Sequence, residues 1–347
     1  ETIVNFSLNG SADQSDIIAQ NDIPKNGIET LFGVNGFDDN QISDMVFHNG
    51  VIYFSVYRGG IFKIKQDNTY SNVLKNSSNP YYRSFAFDSD DNIYVIEDDT
   101  VYKYLAASNY SNDSKTAVTT EGGGGSSLSQ LNNPRSIIID KENNLIIVDT
   151  YNHRIVKWEQ GSNEGTLLFG DPDGGYSSGN NGLQNPKDIV FDKQGNFWIT
   201  DLGKARNRTM DRGGIYWAKA DGSMIKEVVH PFMTPNGIGL SPDENILYVA
   251  ETEGGKLYSY EIIGEGEVKK LSFPESINGG RLLNKEGGIK RFDSLALENN
   301  GNVCVATLIN GGISVISPAG ELLEFIKFED PYITNICFCL LYTSDAA

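Results

Sequence analysis

One short unit recurs six times along the chain, and nothing else restricts its fold so strongly. It is an apolar strand, a turn rich in Asp, Asn and Gly, and a second strand of Val, Ile, Tyr, Phe or Trp. The copies are "DMVFHNGVIYFSV" from residue 44, "SFAFDSDDNIYVIE" from 84, "SIIIDKENNLIIVD" from 136, "DIVFDKQGNFWITD" from 188, "GIGLSPDENILYVAE" from 237 and "SLALENNGNVCVAT" from 294. Asn, Asp and Gly tolerate positive φ and hydrogen-bond their own backbone, so each turn closes a tight hairpin. A third strand follows most hairpins, as in "GGIFKIK" (59–65), "HRIVKWE" (153–159) and "GGIYWAK" (213–219), and a fourth follows less regularly, as in "GTLLFG" (165–170) and "ELLEFI" (321–326).

Units this small cannot bury both faces of a sheet alone and must stack on one another. Four antiparallel strands per unit, repeating every 40 to 57 residues from hairpin to hairpin, specify propeller blades. The expectation is an all-β propeller with six complete blade units, starting near residues 41, 81, 133, 185, 234 and 291; a six-bladed ring is favoured and a seven-bladed ring is the alternative. A further start, "YITNICF" (332–338), reads as a C-terminal blade cut short. The propeller is therefore placed at 41–338. Residues 1–40 form an N-terminal segment whose "GIETLFG" (27–33) is expected to close the ring by pairing with the last blade. The tail 339–347, "CLLYTSDAA", lacks a turn and second strand, reads like a translated sequencing adapter, and is expected to be non-native.

Composition removes several functional classes. A formal net charge of -18 surrounds the molecule with a field that repels polyanions, so neither nucleic acid nor a membrane surface is an expected partner. Apolar runs such as "LIIV" (145–148) are strand-sized, far short of the roughly 20 residues that cross a bilayer. The expectation is a soluble protein, cytoplasmic or secreted. Cys304, Cys337 and Cys339 have neither zinc-site spacing nor the density of a disulfide scaffold.

Two stretches resemble known families. "LNNPRSIIIDKENNLIIVDTYNHRIVKW" (131–158) resembles the NHL repeat, with Asn152, His153, Arg154 and Ile155 at its characteristic turn, and that character extends over about 41–185. From about 183 to 338 the chain is similar to the regucalcin and gluconolactonase lactonases, through "FWITDLGKARNRTMDRGGIYWAKADGS" (197–223), "TPNGIGLSPDENILYVAET" (234–252) and "RFDSLALENNGNVCVATLINGGISVISPAG" (291–320).

The residue just before each inner strand of a propeller faces the central channel. Aligning the repeats puts Ser43, Arg83, Arg135, Lys187, Asn236, Asp293 and Thr334 there. The lactonase resemblance implies a divalent cation, Ca2+ or Zn2+, on the axis. It assigns Asn236 and Asp293 as metal ligands and Asp293 also as the base that activates water for hydrolysis of a sugar lactone or related cyclic ester. Oxygen donors suit a hard cation that polarises a carbonyl and acidifies bound water. The family's metal-binding Glu does not appear, since Ser43 and Arg83 hold the aligned places, and its substrate-contacting Asn is replaced by Lys187. The alternative expectation is a non-catalytic NHL-type propeller that binds a peptide, a protein or a small anionic ligand, with Arg83, Arg135 and Lys187 as the attracting charges. Asp149, Asp201 and Glu251, at second-strand ends, are expected to fix turns rather than perform chemistry.

Overall fold

A computed structural model describes residues 2–7, 28–33, 42–49, 51–56, 58–64, 70–74, 80–122, 124–175, 182–203, 209–284, 289–327 and 336–339. The hairpin turns show why the repeat folds as it does. In "DSDDN", Asp88 Oδ1 accepts from the backbone N–H groups of Asp90 and Asn92 at 3.0 and 2.9 Å, and Asp91 sits at φ 63°. The same construction returns around Asp140, whose Oδ1 accepts from Asn144 at 2.7 Å with Asn143 at φ 63°. It returns again around Asp192, with Asn196 at 2.8 Å and Gly195 at φ 84°. An acidic side chain thus ties off the turn while the fourth residue supplies the left-handed backbone.

Six antiparallel blades of four principal strands follow in chain order. Blade one is Ile42–His48, Val51–Val56, Gly60–Ile64 and Tyr70–Leu74; blade two is Tyr82–Phe87, Ile93–Glu97, Thr100–Tyr104 and Thr116–Ala117. Blade three is Ser136–Ile139, Leu145–Asp149, Arg154–Trp158 and Thr166–Gly170, and blade four is Pro186–Phe191, Phe197–Asp201, Gly213–Ala218 and Ile225–Phe232. Blade five is Pro235–Leu240, Ile246–Glu251, Lys256–Gly264 and Glu267–Val268, with Arg281–Leu282 also on its third strand; blade six is Arg291–Leu297, Val303–Leu308, Gly312–Ile316 and Leu322–Lys327. From blade one to blade six each inner strand packs against the inner strand of the next blade, which arranges the sheets as a propeller.

The core lies in layers between blades rather than in one centre. Trp198, Ile215 and Trp217 of blade four pack with Ile238, Leu247 and Val249 of blade five. Ile146, Val148 and Ile155 of blade three pack with Phe197 and Ile199 of blade four. A blade alone would leave both layers in water, so the stacked array is the folding unit.

Closure differs from the sequence expectation. Cys337–Cys339 contacts the inner strands of both blade six and blade one, and Ile336 packs into the apolar layer of blade six. Its antiparallel partner is Thr2–Ser7, and Ile28–Gly33 pairs in parallel with Thr2–Ser7. Strand Ile28–Gly33 of that segment therefore reaches the closing sheet but one strand away from the position expected, because residues 2–7 intervene. The tail 340–347 lies outside the described residues.

Candidate functional site

Five of the seven positions expected to face the channel share a structural device. Pairing between first and second strands slips between Ile42 and Asp44, between Tyr82 and Phe85, between Pro186 and Asp188, between Pro235 and Ile238, and between Phe292 and Leu295. Ser43, Arg83, Lys187, Asn236 and Asp293 lie inside those bulges, followed in blades two, five and six by Ser84, Gly237 and Ser294. A bulge inserts an unpaired residue and re-aims its side chain, which is how these five leave the ladder. Arg135 precedes its blade's first strand, whose pairing is regular, and is exposed. Thr334 lies outside the described residues.

Asn236 and Asp293 meet. Asn236 is 7% exposed; its Nδ2 donates to Asp293 Oδ1 at 2.5 Å and to Thr252 Oγ1 at 3.1 Å. Its backbone carbonyl accepts from Thr200 Oγ1 at 2.6 Å. Both amide hydrogens are thus spent and the residue is held from two blades. The strands come this close because Gly237 has no side chain: a Cβ there would stand 2.5 Å from the Asp293 carbonyl oxygen. Burial pushes the Asp293 carboxyl above its ordinary value, opposed first by the positive charge of Lys187 and then by the Asn236 hydrogen bond.

The basic trio anticipated from sequence is separated. Arg83 donates Nε to the Asp98 carbonyl at 3.2 Å and lies 5.7 Å from the Tyr81 ring centroid, so it is drawn onto its own blade. Arg135 is solvated, whereas Lys187 acts on the carboxyls of both Asp293 and Asp188.

Sequence reasoning passed over the residue after each bulge position. Asp44 Oδ2 accepts from Ser84 Oγ at 2.7 Å and from Phe85 N–H at 3.2 Å in the next blade. Ser84 Oγ in turn accepts from Ile137 N–H at 3.2 Å, and Asp188 Oδ2 accepts from Ile238 N–H at 3.3 Å. These side chains stitch neighbouring inner strands together. Burial pushes the carboxyls of Asp44 and Asp188 up to about 6. The available signal was a small or acidic residue one place after each axial residue. Thr252, which follows the second-strand acid, carried no comparable signal.

The second-strand acids hold loops. Asp201 accepts from the N–H groups of Gln184 and Asn185 at 2.6 and 2.8 Å, and Asp149 accepts from Asn132 N–H at 2.7 Å and from Arg154 Nε at 2.8 Å. Arg154, in the Asn-His-Arg-Ile turn, is wholly buried. Its guanidinium also donates to the carbonyls of Ser126, Pro172, Ser127 and Gln130 at 2.6 to 2.9 Å.

The donor set does not match the cation site that the lactonase resemblance implies. Asn236 presents a hydrogen to Asp293 rather than its oxygen, the positive charge of Lys187 acts on that carboxylate, and Ser43 stands at the Glu position. Among the described residues no three His, Cys, Asp or Glu side chains are grouped to hold a metal ion, and no helix is long and apolar enough to cross a membrane.

Comparison with known proteins adds four findings. A family model described as SMP-30/gluconolactonase/LRE-like region matches residues 112–340. A lactonase, drp35, from Staphylococcus haemolyticus is 30% identical over 141 residues, 39% of this chain and 41% of its own length; the chain thus spans about two fifths of the curated relatives it matches. In solved structures, a gluconolactonase from Xanthomonas campestris superposes with a TM-score of 0.51 at 15% identity, covering 85% of this chain and 89% of that one. Virginiamycin B lyase from Staphylococcus aureus superposes with a TM-score of 0.59 at 13% identity, covering 84% and 86%. At such identities these two likenesses establish the propeller fold alone.

Proposed function

The chain belongs to the SMP-30/gluconolactonase/LRE-like family, and from that premise we propose that it is a hydrolase of sugar lactones or related cyclic esters. The observation that carries this reading is the pair of buried Asn236 and half-buried Asp293, brought together at 2.5 Å by bulges on adjacent inner strands. Asn236 fixes one carboxylate oxygen and leaves the other to act as the base. A base must lie within hydrogen-bond reach of the proton it takes and have a pKa near working pH; burial moves the Asp293 carboxyl in that direction. In the proposed reaction Asp293 takes a proton from water as the water oxygen attacks the lactone carbonyl carbon. The ring C–O bond then breaks, and the proton passes to the departing alkoxide to give an open hydroxy acid. The calcium or zinc expected from the family has no complete donor set among the described residues, so no step is assigned to it.

Hydrolysis of glucono-δ-lactone, followed by acid release, tests this reading. The expected result is turnover that falls by a factor of 100 or more in Asp293→Ala and by a factor of 10 or more in Asn236→Ala, both variants remaining folded. Turnover unchanged in Asp293→Ala would refute it. Lys187 and Ser43, at the places of the family's substrate Asn and metal-binding Glu, favour a second reading: a non-catalytic propeller that binds a small anion. Saturable gluconate binding without lactone turnover, abolished in Lys187→Ala, would select it.

A further inference from the structure

Lys187, Asn236 and Asp293 occupy the same bulge in three successive inner strands, Pro186–Phe191, Pro235–Leu240 and Arg291–Leu297. The first two strands are tied by Asp188 Oδ2 accepting from Ile238 N–H at 3.3 Å, and the last two meet at Gly237. The three side chains therefore leave adjoining strands at one level. Asn236 is fully committed to Asp293 and Thr252. At the equivalent bulge of blade one, Ser43 Oγ is buried without a hydrogen-bond partner, so the place of a third anionic donor holds a short neutral hydroxyl. Arg83 is bound to its own blade and Arg135 is in solvent. The basic side chain that leaves its strand at the level of Asn236 and Asp293 is Lys187, and its positive charge acts on the Asp293 carboxyl.

We propose that Lys187 is the built-in cation of this channel, filling beside Asp293 the electrostatic place that a divalent ion takes in a site of three oxygen donors, so that the channel binds neither Ca2+ nor Zn2+. A fixed ammonium and a divalent ion repel each other and compete for one carboxylate, and the ammonium is covalently attached. The inference rests on the lactonase reading of the same site, but it is tested by metal binding and not by turnover. The two therefore fail separately.

The experiment is calorimetric titration of the full chain with CaCl2 and with ZnCl2 after EDTA treatment and dialysis, alongside thermal melts with and without 5 mM cation. Wild type, Lys187→Arg, Lys187→Asn, Ser43→Glu/Lys187→Asn and Asp293→Ala are compared. Wild type and Lys187→Arg are expected to show no channel binding with Kd below 1 mM. The folded double variant, which restores an amide and a carboxylate, is expected to bind Ca2+ and to gain about 4 °C in Tm at 100-fold excess over its Kd. Sites whose binding survives Asp293→Ala lie elsewhere and agree with a metal-free channel. Stoichiometric binding by wild type that is lost in Asp293→Ala would overturn the proposal, as would a folded double variant that gains no affinity.

Discussion

Replacing Arg154 tests whether one buried guanidinium organises the loops around blade three. Its side chain has no exposed surface and pairs with Asp149, whose side chain is equally buried, at 2.8 Å. It also satisfies the carbonyls of Ser126, Ser127, Gln130 and Pro172. Arg154→Ala removes all of these donors together and leaves the Asp149 carboxylate with only Asn132 N–H and Asn152 Nδ2. Breaking a buried pair from one side costs about 3–5 kcal/mol. At about 2.1 cal/mol/K per residue over 347 residues, 1 kcal/mol corresponds to roughly 1.4 °C, so the expected fall in Tm is about 4–7 °C. Melts followed by circular dichroism at one scan rate measure it. Arg154→Lys keeps a charge for Asp149 but lacks the planar fork, and its loss should fall between wild type and Arg154→Ala. The double variant Asp149→Ala/Arg154→Ala should lose less than the sum of the single losses, because no charge is stranded. A fall below about 1 °C in Arg154→Ala would refute the assignment.

Two further outcomes concern the inner strands. The folded-state pKa values of Asp44 and Asp188, about 6, lie above the ordinary aspartate value of 3.8. Between those limits the native state retains protons that the unfolded chain has released, so their contribution favours folding at the acid end and fades as pH rises from about 4 to about 6. Melts across that range should show the decline, and Asp188→Ser, which copies the hydroxyl at Ser84, should shrink it; an unchanged profile would contradict the burial of Asp188. Gly237→Ala sets a Cβ 2.5 Å from the Asp293 carbonyl oxygen and 2.8 Å from Leu295 N, both backbone atoms, whereas Gly239→Ala meets only the side-chain ends of Leu295 and Leu297. Overpacking costs about 1–3 kcal/mol, so Gly237→Ala should melt about 1–4 °C lower and lose lactone turnover beyond that, with Gly239→Ala milder on both measures.

The hairpins were legible because each turn is decided locally: Asp88, Asp140 and Asp192 cap it, and Asp91, Asn143 and Gly195 supply its left-handed residue. Third strands were legible for the same reason, being short and strongly apolar. Outer strands were less so. Thr116–Ala117 is two residues long, and its pairing is settled by the neighbouring strand rather than by its own composition. Asn236 and Asp293 were identified through motif order, and their contact depends on Gly237. The company they keep was hidden. Nothing in the residues around Arg83 says that it turns back to Asp98 and Tyr81, because packing against those partners makes the choice. The clasp of Thr2–Ser7 on Cys337–Cys339 joins opposite ends of the chain, a separation over which local pattern carries no information.

The bulges give the ring a way to change its chemistry without changing its frame. Ser43, Arg83, Lys187, Asn236 and Asp293 differ in size, charge and polarity, yet beyond each of them the strand resumes the same antiparallel ladder. A residue exempt from pairing can be exchanged with little effect on the register of the strand beyond it, while the stitching residues behind it, such as Asp44 and Asp188, keep the blades joined. Selection can therefore re-equip the channel one blade at a time, and a protein can drift from one catalytic outfit to another, or to none, with its architecture intact.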